Sequence, residues 1–370
     1  MGLLKYPGGK EKELDVILQH APTHFKRYFE PFVGGGAVYQ AIDATQYFIN
    51  DLSTQLVWFY QSIKDQNPEF ISLINKMESD WRILDDLVEK DIFIDTYKSY
   101  IKNDITENEF ENYISKTIVN NADLFNNLGV HSDYVFKDVV GKVVFDKCKR
   151  LYKLEHKQHL PEEDIEKNLV GAFKAAYYTY IRDVYNNMAD KSSGFQAAIY
   201  LFIRELCYSC MFRFSSSGDF NVPYGGISYN SRSFSTKLDF YESILLQEKM
   251  KDTTVCNMDY EKFLSQFDLC DTDFIFLDPP YDSAFSTYDT NVFDMTEQKR
   301  LADYLINKCK GKFMLVTKNT EFIKSLYEDG VVCANGNKLK VSSYDKNYFV
   351  SFMNRNAEDK KVKHLMICNY

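Results

Sequence analysis

The chain carries, at positions 274–281, the stretch Phe274-Ile275-Phe276-Leu277-Asp278-Pro279-Pro280-Tyr281. Four apolar residues in a row indicate a short strand, and the two prolines after Asp278 end it, because proline cannot donate to a strand ladder. Strand cores separated by helical stretches recur on both sides of this segment. The stretch therefore indicates an α/β fold.

The residues that follow this strand suit the binding of a planar amine on an aromatic ring. The Asp278 carboxylate can accept one N–H, and the carbonyl of Pro279, freed from any ladder by the flanking prolines Pro279 and Pro280, can accept the other. Tyr281 offers a face on which the ring can stack. With both N–H groups held, the nitrogen lone pair can point at an electrophile. The alternative is a strand that ends in an ordinary proline turn.

The rest of the chain alternates in the same way at both ends but not in the middle. Strand-like runs occur at 28–30, 47–49, 313–317, 338–352 and 362–370, and the last two would form a terminal β-hairpin. Helical patterns dominate the middle, for example at 70–77, 81–88 and 171–186. The sequence therefore predicts an α/β domain, 1–66 and 251–370, interrupted by a mainly helical insertion, 67–250.

The charge and the cysteines limit the classes of partner. The net charge is −9, of which −7 falls between 67 and 170, where 14 Lys and Arg stand against 21 Asp and Glu. The acidity therefore does not exclude a basic cleft elsewhere. Cys207 and Cys210 form a C-x-x-C without a second pair at zinc spacing, which favours buried thiols over a metal site. No signal peptide or membrane span is recognisable, so we expect a cytoplasmic protein with no metal and no membrane partner.

A glycine-rich turn, Phe32-Val33-Gly34-Gly35-Gly36, follows the first strand and precedes a helix-like run at 37–44. Glycines allow a tight turn and close approach to a ligand, and Asp51, at the end of the next strand, can accept both hydroxyls of a ribose. A dinucleotide site would need a glycine where Tyr39 stands. The pattern favours a nucleoside cofactor such as S-adenosylmethionine over a nicotinamide dinucleotide, although such turns are common in α/β folds.

Three further patterns have both a functional and a structural interpretation. The segment 5–10, Lys-Tyr-Pro-Gly-Gly-Lys, lacks phosphate-loop spacing and could be a solvated terminus. The loop 213–225 combines a guanidinium, hydroxyls, an amide and aromatic rings, which suits guanine contact and base stacking, or a polar surface hairpin. Asp259 and Tyr260 end another strand, where the carboxylate could accept from a cofactor adenine or lie in solvent.

Taken in order, these motifs resemble the D12-type family of N6-adenine DNA methyltransferases. The family order is Lys-aromatic-x-Gly-Gly-Lys, Glu-Pro-Phe-x-Gly-x-Gly, a target-recognition region that ends in Asn-Val-Pro-aromatic-Gly, and Asp-Pro-Pro-Tyr. The resemblance covers about 1–66 and 171–370. It implies a Rossmann-like S-adenosylmethionine-dependent catalytic domain, and an inserted domain whose hairpin, at about 208–235, reads DNA. It also implies methyl transfer to adenine N6 in duplex DNA after base flipping.

The resemblance also implies roles for single residues. The cofactor site would be lined by Tyr6, Lys10, Phe32, Gly34, Gly36, Asp51, Asp259, Tyr260 and Asp278. The target base would be held by a catalytic set formed by Lys10, Asp278, Pro279, Pro280 and Tyr281. DNA would be contacted by Lys5, Tyr208, Ser209, Met211, Arg213, Asn221 and Pro223. Within this last set, Lys5 and Arg213 would contact guanines and Tyr208 could wedge into the duplex.

Departures from the family pattern leave alternatives open. The family often has Asn where Ser209 stands and Leu where Met211 stands, so a GATC-like target is one hypothesis. The enzyme would act alone or with a restriction endonuclease for the same site, in the nucleoid of a prokaryote or phage host. The basic run 147–153 could touch phosphates or decorate an exposed helix. An RNA adenine or guanine methylase and a catalytically silent DNA-binding regulator remain the rival hypotheses.

Overall fold

A computed structural model describes residues 2–89, 93–130, 139–280, 293–347 and 361–370. The chain divides into two units, which we call the sheet unit (Met1–Lys64 and Ile244–Tyr370) and the helical unit (Asp65–Ser243). The boundaries fall at 64/65 and 243/244, where the sequence predicted 66/67 and 250/251. The functional roles given to the two parts stay predictions.

Within its described residues, the sheet unit contains a seven-stranded sheet in the order β3-β2-β1-β4-β5-β7-β6. The strands are β1 (Arg27–Glu30), β2 (Gln46–Asn50), β3 (Thr253–Cys256), β4 (Asp273–Leu277), β5 (Lys312–Lys318), β6 (Lys340–Asn347) and β7 (Lys361–Cys368). The first five strands in this order run parallel, and β7 pairs antiparallel with both β5 and β6. The predicted α/β class and the pairing of the last two strands are confirmed.

Helices cover both faces of the sheet. They are α1 (Leu14–His20), α2 (Ala37–Ala41), α3 (Thr54–Lys64), α12 (Ile244–Lys251), α13 (Tyr260–Leu264), α14 (Met295–Asn307) and α15 (Glu321–Leu326). Because side chains alternate along a strand, Ile275 packs in the same core as Leu264 and Leu301, whereas Phe274 lies on the other face against Tyr28, with ring centroids 5.7 Å apart. Residues of β4 are buried throughout, as its apolar run predicts.

The order of the strands reverses between β1 and β4. These strands are neighbours, with Phe29 opposite Ile275, while β2 lies beyond β1 and β5 beyond β4. In open α/β sheets, ligands bind outside the carboxyl ends of the strands at such a reversal. The turn after β1 and Asp278 after β4 both lie at this point, which makes it the place to look for a site.

The helical unit is built from α4 (Pro68–Glu89), α5 (Phe93–Ile101), α6 (Glu107–Asn120), α7 (Ala122–Phe125), α8 (Gly141–Glu155), α9 (Glu162–Asn187), α10 (Ser193–Leu206) and α11 (Ser235–Tyr241). The two predicted helices at 70–77 and 81–88 are one helix, α4. The helix predicted at 171–186 begins earlier, at Glu162. It therefore starts within the acidic segment 67–170 and continues into the apolar stretch that follows. No helix in the described part of the chain is both long and apolar enough to cross a membrane.

Candidate active site

An ion pair joins Asp278, directly after β4, to Lys10 in a short 3-10 helix (Lys10–Lys12) near the N-terminus. The Lys10 Nζ lies 2.5 Å from Asp278 Oδ2, and the two side chains are 3% and 20% exposed. Lys10 also donates to the carbonyl of Gly8, at 3.3 Å. Burying an ammonium costs free energy unless it is paired with an opposite charge. This pair therefore fixes both side chains at the carboxyl ends of the strands, which we call the sheet edge.

The glycine-rich turn is held by the acid at the end of the neighbouring strand. Asp51 accepts from the backbone N–H of Gly34 at 3.1 Å and of Ser53 at 3.0 Å. The hydroxyl of Tyr60 donates to the Gly34 carbonyl at 2.9 Å. Gly36 has a φ of +70°, and a Cβ there would lie 2.4 Å from the Tyr60 hydroxyl. The turn therefore requires glycine at 36 for both conformation and space.

The N-terminal segment packs against this turn, so its interpretation as a solvated terminus is wrong. Leu3 and Leu4 are buried, and the Leu4 N–H donates to the Gly35 carbonyl at 3.4 Å. The Tyr6 ring lies beside Gly34, where an added Cβ would be 3.2 Å from Tyr6 Cδ1. The structure thus brings Tyr6, Lys10, the glycine turn, Asp51 and Asp278 together at one edge.

An aromatic cluster completes the side of this edge near β3. The ring of Phe32 lies 5.3 Å from that of Tyr260 and 5.6 Å from that of Phe293, measured between centroids. Tyr260 is also 5.9 Å from Phe293. Burial raises the pKa of Tyr260 to about 12, so its hydroxyl stays protonated and neutral at physiological pH. The sequence predicted Phe32 and Tyr260 at this site but not Phe293. Phe293 comes directly after the segment 281–292 and belongs to no recognisable motif.

Both carboxylate oxygens of Asp259 contact other residues of the chain, which the sequence did not predict. One carboxylate oxygen caps α13, accepting from the N–H groups of Glu261 at 3.1 Å and Lys262 at 3.2 Å. The other oxygen binds Arg300 of α14, whose Nε donates to the Tyr260 hydroxyl at 2.9 Å. Arg300 was not predicted, because nothing in its local sequence indicates that α14 approaches the end of β3.

Two further residues at this edge were missed. Glu30, at the end of β1, is buried, and burial raises the pKa of its carboxyl to about 8, although the hydrogen bond from Tyr28 lowers it; the charge of Asp278 raises it further. Gln298 of α14 is also buried and donates to the Pro280 carbonyl at 3.0 Å. An acid at the end of an apolar strand was a usable signal for Glu30; Gln298 offered none. Tyr281 lies outside the described residues.

The predicted DNA-reading residues of the helical unit lie on an exposed hairpin-like segment. Its ends are joined by a bridge between Cys207 and Tyr224, and the N–H of Tyr208 donates to the Pro223 carbonyl at 2.8 Å. Tyr208 is 44% exposed. Arg213 is exposed, and its Nε donates to Asn221 Oδ1 at 2.9 Å. The structure therefore brings Arg213 together with Asn221, and Tyr208 together with Pro223.

The backbone between them has an uncommon conformation. Ser209 and Cys210 both have a φ of +53°, which is rare for residues other than glycine and costs free energy. The N–H of Ser209 donates to the Tyr229 hydroxyl at 3.2 Å, and Met211 is half-buried. Lys5, the other predicted guanine reader, is an exposed residue of the sheet unit.

The C-x-x-C pair is not built as a metal site. Cys207 is buried, and burial raises the pKa of its thiol to about 12, so it stays protonated. Its Sγ lies 3.4 Å from the Met211 carbonyl oxygen. Among the residues that the structure describes, no group of three or more His, Cys, Asp or Glu could hold a metal ion.

Comparison with known proteins identifies the family. The model of the family described as D12 class N6 adenine-specific DNA methyltransferase matches residues 6–142 and 129–342. The type II methyltransferase M.CviBI of Paramecium bursaria Chlorella virus NC1A is 31% identical over 178 residues, 47% of this chain and 61% of that protein. The aligned region therefore spans less than two thirds of the viral enzyme.

Other relatives align over most of both chains. The Retron Ec67 DNA adenine methylase of Escherichia coli is 23% identical over 88% of this chain and 80% of its own length. The type II methyltransferase M.MjaIII of Methanocaldococcus jannaschii is 22% identical over 88% and 87%. The resemblance drawn from the motifs is confirmed, and the chain belongs to the D12 class family of N6 adenine-specific DNA methyltransferases.

Proposed function

We propose that this adenine-specific DNA methyltransferase transfers a methyl group from S-adenosylmethionine to N6 of one adenine in duplex DNA, and that Asp278 binds the reacting amino group. The observation that carries the proposal is the buried Lys10–Asp278 pair at the point where the strand order reverses. That is where an α/β sheet binds ligands, and Asp278, the first residue of the Asp-Pro-Pro-Tyr motif, directly follows β4.

The residues at this edge fit S-adenosylmethionine by the chemistry of their side chains. The hydrogen bonds from Gly34 and Ser53 hold the carboxylate of Asp51 beside the glycine turn, and a carboxylate is a group that can accept hydrogen bonds from a pair of ribose hydroxyls. Phe32, which is half-buried, offers an aromatic face for an adenine ring, and the buried ring of Tyr260 packs against it. The glycine turn keeps Cβ atoms away from the Tyr6 side of the site. When bound, the cofactor supplies an electrophilic methyl group.

The residues around the amine would act by orienting it. The amino nitrogen of adenine is a poor nucleophile because its lone pair is conjugated with the ring. A carboxylate has about four acceptor positions, so Asp278 can accept an amino N–H while it is paired with Lys10. With the Pro279 carbonyl taking the second N–H, the nitrogen is held in a tetrahedral shape and its developing positive charge meets a fixed negative group. Stacking of the base on Tyr281 stays a prediction.

The helical unit would read the DNA. An adenine inside a duplex cannot reach a carboxylate at a sheet edge, so the base must flip out, and exposed Tyr208 is the side chain that we assign to the space it leaves. Arg213, oriented by Asn221, would contact a guanine in the major groove, with Ser209, Met211 and Pro223 beside it and Lys5 on a second guanine. A GATC-like site, and action either alone or beside a restriction endonuclease for the same site, are parts of this proposal.

The proposal is tested with purified protein, S-adenosylmethionine labelled in its methyl group, and unmethylated plasmid DNA. Digestion of the product to nucleosides should give labelled N6-methyldeoxyadenosine, and Asp278→Asn should reduce it strongly while cofactor binding persists. Parallel reactions with single-stranded and duplex RNA test the rival substrate. Label found only in RNA, or in no nucleic acid despite cofactor binding, would contradict the proposal.

A further inference from the structure

The sheet unit contains a polar cluster of two buried side chains and one half-buried side chain that the proposed chemistry does not use. Glu13, which precedes α1, has a side chain that is 4% exposed. The hydroxyl of Tyr344, on β6, donates to Glu13 Oε2 at 2.6 Å. The Nδ1 of His364, on β7, lies 2.9 Å from the same oxygen, and His364 is fully buried. The three side chains form what we call the Glu13 cluster.

The Glu13 cluster lies one turn of backbone away from Lys10, the residue that pairs with Asp278. The N–H of Glu13 donates to the Lys10 carbonyl at 2.9 Å, which closes the 3-10 turn that begins at Lys10. On one side of this turn Lys10 reaches Asp278, and on the other Glu13 is bound to the paired strands β6 and β7, where Tyr344 stands opposite His364. The two ends of the turn are therefore fixed by different parts of the sheet.

The composition of the cluster suggests more than packing. A buried carboxylate costs free energy unless it is paired and hydrogen-bonded, and apolar residues of similar volume would often stabilise the fold as well or better. The hydrogen bond from Tyr344 to Glu13 is directional, so it fixes the turn in one register more strictly than apolar contacts would. Such a restraint matters at Lys10, because a catalytic set loses rate when it is misplaced by about 1 Å.

We propose that Glu13, Tyr344 and His364 are positioning residues that hold the Lys10 turn so that its ammonium meets Asp278. The inference rests on the proposed function, since it assigns the Glu13 cluster an effect on methyl transfer. The residues touch neither substrate nor cofactor in this account. Their effect on the reaction passes through Lys10.

The direct test compares two tyrosine variants that each lose one hydroxyl. Tyr344→Phe removes the bond to Glu13, at the start of α1; Tyr370→Phe removes the bond from its hydroxyl to the His20 carbonyl, 2.7 Å away, at the other end of the same helix. We expect Tyr344→Phe to lower kcat about tenfold, as the loss of a hydrogen bond to a charged group predicts, with KM for DNA and cofactor affinity unchanged. Tyr370→Phe should stay within about twofold of the wild type.

A double-mutant cycle separates positioning from general loosening of the fold. If the Glu13 cluster acts through Lys10, Tyr344→Phe should have almost no effect on single-turnover rate in a Lys10→Gln background. Equal fold losses in both backgrounds, or wild-type kcat in Tyr344→Phe, would overturn the inference. Glu13→Gln is the second variant and should behave as Tyr344→Phe does. A wild-type protein that binds cofactor but methylates no DNA would contradict the proposed function, a result distinct from an active enzyme indifferent to Tyr344.

Discussion

The sheet edge and the exposed hairpin-like segment organise their polar residues in opposite ways. At the edge, Lys10 and Asp278 are paired and largely buried. On the segment, Arg213 is exposed and is oriented by Asn221, on the same hairpin-like segment. A reacting group must be organised before the substrate arrives, whereas a base reader is completed by the DNA it contacts. Changes at the edge should therefore alter rate on every sequence, and changes on the segment should alter which sequence is chosen.

The largest expected effect is at Asp278. Asp278→Ala removes the proposed acceptor of the amino N–H, and we expect kcat to fall by about 100- to 1,000-fold, the range seen when a transition-state contact is lost. Cofactor affinity, measured by calorimetry, should change little. A variant with unchanged kcat at saturating cofactor but much weaker cofactor binding would remove Asp278 from the chemistry and leave it a role only in the cofactor site.

The next largest effect is expected on the exposed hairpin-like segment, at Arg213. Arg213→Ala should cost about 1–3 kcal/mol of discrimination at one guanine, because a bidentate guanidinium contact is lost. Competition between duplexes that differ at a single base pair measures it. Ser216→Ala, at another exposed position of the same loop, is the matched control. An unchanged preference in Arg213→Ala would show that the segment does not read bases through this side chain.

A smaller effect is expected at Arg300, which joins Asp259 and Tyr260 to α14. Arg300→Gln should weaken cofactor binding about fivefold, the range for a part-exposed charged contact, and leave kcat at saturating cofactor nearly unchanged. Lys308, the residue directly after this helix, provides the control: Lys308→Gln removes a pair with Glu261 at 3.1 Å and no contact with Asp259. Equal effects of the two substitutions would mean that Arg300 contributes only general helix stability.

A separate effect, on folding stability rather than on activity, is expected at Glu30. Because burial raises its folded-state pKa to about 8, the native state retains a proton that the unfolded state releases as pH rises from about 5 to 8. Stability should fall over that range by up to about 1.4 kcal/mol per pH unit, and Glu30→Gln should lack this contribution. Denaturant titrations at several pH values measure the slope. Glu328→Gln, an exposed acid of the same unit, should keep the wild-type slope.

The fold was predictable where local pattern and tertiary environment agree. The apolar run before Asp278 is a fully buried strand, and the glycine turn lies between β1 and α2 as its sequence indicates. The pattern failed at element ends. The helix predicted to reach Ala44 ends at Ala41, because the backbone becomes extended at Ile42. The two helices expected within 67–90 are one, because the polar residues between them do not break a helix when both flanks are buried.

The candidate site was predictable to the extent that its residues carry motifs. Lys10 and Asp278 were each recognisable, but their 2.5 Å contact depends on how the N-terminal turn packs, which no local pattern encodes. Arg300, Gln298 and the Glu13 cluster escaped prediction for the same reason: they come from helices and strands whose own sequences are ordinary. Such supporting residues reach the site only through the way the strands and helices are arranged in space, and that arrangement cannot be deduced from local sequence patterns.

The most direct test of the central claim is modification mapping by long-read sequencing of plasmid DNA from a methylation-free host that expresses this chain. We expect N6-methyladenine confined to one short sequence motif, absent in the Asp278→Ala variant and spread to related motifs in Arg213→Ala. Unmodified adenine throughout, with the wild-type protein expressed and able to bind S-adenosylmethionine, would contradict it.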